Sequence, residues 1–118
     1  MHKVLVLFIL LCMFATQADA QLKVIGQGDA MRLDAEKFPA EMKKNYQILL
    51  SKCAGCHSLQ ITIQAVRTGQ GKSWEPFNKQ TARECVVRMM RKTGADISNQ
   101  DAKAVINLLN YLFDENAL

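Results

Sequence analysis

The sequence predicts an all-α fold of three to four helices. Apolar residues recur at helical spacing in three separate stretches, and helix start and stop residues flank those stretches. The alternating stretch Leu59–Val66 is too short to argue for a sheet. The first helix is predicted from Ala40 to about Lys52. Phe38-Pro39 marks its start, because proline is tolerated in a helix's first turn, and Met42, Tyr46, Leu49 and Leu50 share one stripe. A second is predicted from about Ala82 to Lys92, with Thr81-Ala82-Arg83-Glu84 as a capping box and Gly94 as the stop. The third opens at Ser98-Asn99-Gln100-Asp101, with an acid in its first turn. It runs almost to the C-terminus on Ala102, Val105, Ile106, Leu109, Leu112 and Phe113. Residues 21–37, which contain Gly26 and Gly28, are expected to be a lead-in coil. Residues 58–78 are interrupted by Gly69, Gly71 and Pro76 and are expected to be a loop with at most a short helical piece. A loop of that length is usually functional or folded around something.

The first twenty residues read as an export leader. Met1-His2-Lys3 is a short basic start, Val4–Ala15 is apolar, and Ala18-Asp19-Ala20 has the small-x-small pattern of a signal peptidase site. The apolar run is too short to span a bilayer, and no later stretch could span one. Cys12 does not read as a lipidation site, because Leu11 stands where a small residue is needed. The expected organisation is therefore a signal peptide over 1–20, a lead-in over 21–37 and one domain over 38–118, located in the periplasm. The formal charge of the whole chain, +4, is unchanged by cleavage, since the leader removes Lys3 and Asp19. So thin a core often needs a staple or a cofactor. These features argue against a membrane protein, a large enzyme and a cytosolic factor.

Cleavage after Ala20 leaves Cys53, Cys56 and Cys85, an odd number that suits no disulfide framework. Cys53-Ala54-Gly55-Cys56-His57 is the C-x-x-C-H attachment motif for c-type haem. Two thiols on one helical turn can add to the two vinyl groups of one porphyrin, and the histidine that follows can bind the iron. Ala54 and Gly55 are small enough to let the backbone lie close to the macrocycle. A thiol–disulfide pair is a poorer reading, because no strand-rich region precedes the motif. A zinc site of the three cysteines with His57 would strain two adjacent ligands. Too few cysteines remain for an iron–sulfur cluster. Cys85 is expected to be a small, buried helix residue, with an exposed reactive thiol as the alternative.

His57 is the one histidine left after cleavage, which rules out two histidine ligands within a chain. Methionine is the usual sixth ligand in electron-transfer cytochromes c, and the candidates are Met31, Met42, Met89 and Met90. Met42, on the helix entering the motif, suits the core. Met89 and Met90 point about a hundred degrees apart on a helix. Met89 shares a face with Cys85 and Val86, Met90 with Val86 and Val87, and periodicity does not choose between them. Trp74 and Arg67 are candidate donors to the haem propionates.

The chain resembles small monohaem cytochromes c of the class I fold. The resemblance rests on a helix leading into Cys53–His57, a loop with Trp74, then Val86-Val87-Arg88-Met89, Gly94-Ala95, and a last helix ending Leu108-Leu109-Asn110-Tyr111-Leu112. It covers about residues 38–113, and its details look most like periplasmic cytochromes of metal- or electrode-respiring bacteria. It implies helices wrapped around one covalent haem c, with His57 and, because the ligand methionine follows an arginine, Met89 on the iron. Many members carry a proline about a dozen residues after the histidine, whose carbonyl orients the imidazole. Here no proline stands between His57 and Pro76, so the sequence does not name that partner. The stretch from Trp74 to Met89 is also longer than in related sequences.

The expected function is one-electron transfer rather than catalysis, as a monomer. The expected partners are redox proteins, with acidic docking surfaces that suit the positive charge. Nucleic acid is excluded for want of a basic-aromatic platform. The alternatives are a haem sensor or small enzyme with an open sixth position, and the haem subunit of a larger dehydrogenase.

Overall fold

A computed structural model describes residues 22–117. The expected leader, with Cys12 and His2, lies outside the described residues. The chain forms a short antiparallel ribbon, β1 (Val24–Ile25) and β2 (Arg32–Leu33), with a 3-10 turn over Gly28–Ala30 between them. Four helices follow: α1 (Ala40–Lys52), α2 (Leu59–Thr68), α3 (Lys79–Met90) and α4 (Asn99–Ala117). No helix among the described residues is long and apolar enough to cross a membrane.

The helical reading holds, and α4 is its axis. Leu108 and Leu112 are among the most fully buried side chains, and α1 and α3 make the two largest helix interfaces with α4. Phe38 meets Tyr111 edge-on, with ring centroids 5.2 Å apart, which closes the α1–α4 seam at the start of α1. At the N-terminus of α4, Ser98 and Asp101 cap each other. Asp101 N–H donates to Ser98 Oγ at 3.0 Å, and Ser98 N–H donates to the Asp101 carboxylate at 3.1 Å.

Three expectations are corrected. Residues 22–37 are not a separate coil: Val24 pairs with Leu33 and Ile25 with Arg32. Leu22 and Leu33 lie in the core, Leu33 N–H donates to the Tyr46 hydroxyl at 2.9 Å, and Leu22 N–H donates to Asn116 Oδ1 at 3.4 Å. Strands of two residues are too short to show an alternating pattern. Gly26 makes the turn possible, because its φ is +77° and a Cβ there would come within 2.6 Å of the Ala30 carbonyl.

The loop expected over 58–78 contains a ten-residue helix, α2. Leu59, Ile63 and Val66 recur at i, i+4 and i+7, and all three are buried. Gly69, at φ +71°, ends the helix and donates its N–H to the Ala65 carbonyl at 2.9 Å. The capping box of α3 also lies three residues earlier than expected. Asn78 Oδ1 accepts from Gln80 N–H at 3.0 Å and Thr81 N–H at 3.1 Å, while Thr81 Oγ1 accepts from Asn78 N–H at 2.8 Å. Thr81 is thus the third helical residue rather than the cap, and α3 ends at Met90 rather than Lys92.

Candidate haem site

The motif begins where α1 stops. Cys53 caps the C-terminus of α1, with its N–H on the Leu49 carbonyl at 3.0 Å, and a tight turn brings Cys56 N–H to the Cys53 carbonyl at 3.4 Å. Cys53 is buried and Cys56 is exposed. A Cβ on Gly55 would meet nothing within 4 Å, so the outer side of this turn is open. Burial, reinforced by Cys56, Cys85 and Asp101, pushes the Cys53 thiol above its ordinary pKa. The negative end of the α1 dipole lies at the same place. Thiol–disulfide catalysts need the reverse, an attacking thiol whose pKa is depressed, typically at a helix N-terminus. Among the described residues, no three His, Cys, Asp or Glu side chains converge as a metal-holding group.

His57 is half-buried, and its Nδ1 lies 3.2 Å from the Ser58 carbonyl oxygen. A carbonyl can only accept, so Nδ1 carries a proton in this contact, and in the neutral imidazole Nε2 is the nitrogen with the lone pair. That is the tautomer an iron ligand needs, and it is set by the residue next in the chain. The sequence held no signal for it, because the partner is a backbone atom.

Cys53, Cys56, His57 and Met89 line one cavity of about 180 Å³. Lys52 and Lys92 stand on its rim, and the segment Lys92–Ala95 with Ile97 supplies the wall opposite the motif. Lys52 Nζ is 3.4 Å from an Asp96 carboxylate oxygen and 3.8 Å from one of Asp101, which ties that rim to the start of α4. Met90 is absent from the cavity lining and packs against the hydrophobic core. Among the other methionines, Met31 and Met42 also pack on the core. Cys85 sits one turn before Met89 on α3 and is half-buried, more open than the buried role expected of it.

The donor set suits a c-type haem: two thiols, an imidazole and a thioether on one cavity. The volume is smaller than the roughly 300–1,000 Å³ of usual ligand pockets, so seating a macrocycle requires the walls to part. The Lys92–Asp96 segment is the most open stretch beside the cavity. Four of its five residues are exposed, and the N–H of the fifth, Ala95, bonds only to the Lys92 carbonyl. The residues therefore fit the group chemically.

Trp74 is not brought to this cavity. It is 80% exposed at the tip of a self-bonded hairpin, and its side chain lines a different cavity, of about 390 Å³, with Ile61, Gln64 and Thr68 of α2. The hairpin explains the placement. Gly71 N–H donates to the Glu75 carbonyl at 2.7 Å, Trp74 N–H to Gly71 at 3.1 Å, and Phe77 N–H to Gly69 at 2.8 Å. These bonds hold Trp74 at φ +65°. Arg67 is half-buried in the last turn of α2 and does not line the cavity of the thiols either. With the geometry in place, comparison with known proteins adds no relative: no protein family, curated protein or solved structure matches this chain.

Proposed function

We propose that the protein is an exported one-electron carrier with a single c-type haem, bound through thioethers to Cys53 and Cys56 and ligated by His57 and Met89. One observation carries the reading: the C-x-x-C-H motif and a single methionine line the same cavity, while the adjacent methionine packs into the core. The haem would supply an iron that gains and loses one electron. The chain's residues do the rest. The two thiols fix the position, the Ser58 carbonyl holds the His57 tautomer, and Met89 supplies a neutral sulfur suited to both oxidation states. A carrier of this kind takes an electron from one partner and passes it to another with no proton or atom transferred. Lys92 on the rim suits partners with acidic docking surfaces. The export leader supports a periplasmic location, where haem attachment of this type takes place.

The test is made on protein secreted from a host that can attach c-type haem. After denaturation it should keep its colour, weigh as the chain from Gln21 plus one haem, and show a low-spin spectrum in both redox states. Colourless protein with free thiols at Cys53 and Cys56 would overturn the reading.

A further inference from the structure

Cys56 and His57 also line a second cavity, of about 340 Å³, that the ligand set does not use. Ala54, Gly55 and Ser58 line it too, together with Arg32 and Asp29 from the ribbon and its turn. We propose that Arg32 is the residue through which the chain raises the reduction potential of an iron held by His57, and that Asp29 opposes it. This rests on the haem reading above.

The guanidinium is held in place. Arg32 Nη1 donates to the Asp29 carbonyl at 3.2 Å and to the Met31 carbonyl at 2.9 Å. Its backbone pairs with Ile25 in the ribbon, and the next residue, Leu33, is fastened to the buried Tyr46 hydroxyl at 2.9 Å. Among the described residues no carboxylate is ion-paired with Arg32: the ion pairs join Lys52 to Asp96 and Asp101, and Lys79 to Asp114. Arginine stays protonated at every working pH. A positive charge bonded to two backbone carbonyls thus lines the same cavity as the proximal histidine. Oxidised iron carries one more positive charge than reduced iron, so a nearby cation favours the reduced form and raises the potential. The Asp29 carboxylate on the same cavity acts with the opposite sign. Both side chains are exposed, so salt weakens the effect.

The experiment is a redox titration of the haem-loaded protein at low and high salt, with Arg32→Gln, Arg32→Lys, Asp29→Asn and Lys43→Gln. Lys43 is exposed on the first turns of α1 and lines neither cavity. Its variant removes the same unit of charge far from the motif. At the wild-type midpoint, Arg32→Gln should be less than half reduced and Asp29→Asn more than half. Arg32→Lys should stay close to one half, and Lys43→Gln should move less than Arg32→Gln. The Arg32 and Asp29 shifts should shrink together as salt shortens the Debye length below about 10 Å. A midpoint that responds to Arg32→Gln no more than to Lys43→Gln would overturn the assignment, as would shifts of the same sign for Arg32→Gln and Asp29→Asn. Protein that carries no covalent haem would overturn the haem reading and this one together. Haem-loaded protein indifferent to Arg32 would overturn this one alone.

Discussion

The Cys53–His57 turn and the Trp74 hairpin are both loop-like, and both are candidates for touching one cofactor. They are built in opposite ways. The motif turn starts from the capped end of α1, sets a buried thiol against the core, and meets Met89 from α3 across a cavity. The Trp74 hairpin bonds to itself, and its largest side chain points outward. Donors that converge are carried by the ends of packed helices. A residue whose backbone is satisfied locally is free to leave the site, whatever its chemical suitability.

Four predictions test the two regions and the helix α4, from the largest effect to the smallest. Replacing both Cys53 and Cys56 by alanine should abolish covalent haem, read by mass after denaturation, while Trp74→Ala should leave attachment complete. Leu108→Ala should cost about 2–5 kcal/mol, because a leucine with no exposed surface at the centre of α4 leaves a cavity; denaturant unfolding measures it. In the hairpin, only glycine adopts φ +65° freely, so Trp74→Gly should be more stable than Trp74→Ala by about 1 kcal/mol in the same assay. Equal stability would mean that the positive φ is not held. The smallest effect is that of acid on the α4 cap. The Ser98 N–H, followed by the Ser98 hydroxyl and Lys52, holds the Asp101 carboxyl below its ordinary pKa. A depressed carboxyl contributes stability above the unfolded pKa and loses it as pH falls through the folded value. Melting of the wild type should therefore decline more between neutral and acid pH than that of Asp101→Asn.

The sequence revealed some of these elements and concealed others, for physical reasons. The range of α1 was legible because Tyr46 and Leu49 lie on one buried stripe and Pro39 marks its start. Helix α2 was hidden because Leu59-Gln60-Ile61-Thr62-Ile63 alternates as well as it spirals, and the glycines after it suggest a loop. Thr81-x-x-Glu84 offered a capping box that competes with the one Asn78 makes, and only the backbone at Asn78 decides between them. The spacing of the thiols and His57 put them on one turn, and the structure has all three lining one cavity. Met89 and Met90 could not be separated by periodicity, since both occupy flanks of one helix whose rotation is set by what packs on Val86 and Ala82. The partner of His57 was invisible in the sequence, and the place of Trp74 followed from hairpin bonds that no residue type announces.

Carbon monoxide binding to the reduced protein, followed by absorption at neutral pH, tests the central claim most directly. It should be compared among the wild type, Met89→Ala and Met90→Ala. The cavity geometry predicts that only Met89→Ala opens the sixth position: it should bind carbon monoxide rapidly, while the wild type and Met90→Ala resist and Met90→Ala shows only a lowered melting point. Rapid binding by the wild type, or ligand loss in Met90→Ala alone, would contradict the account.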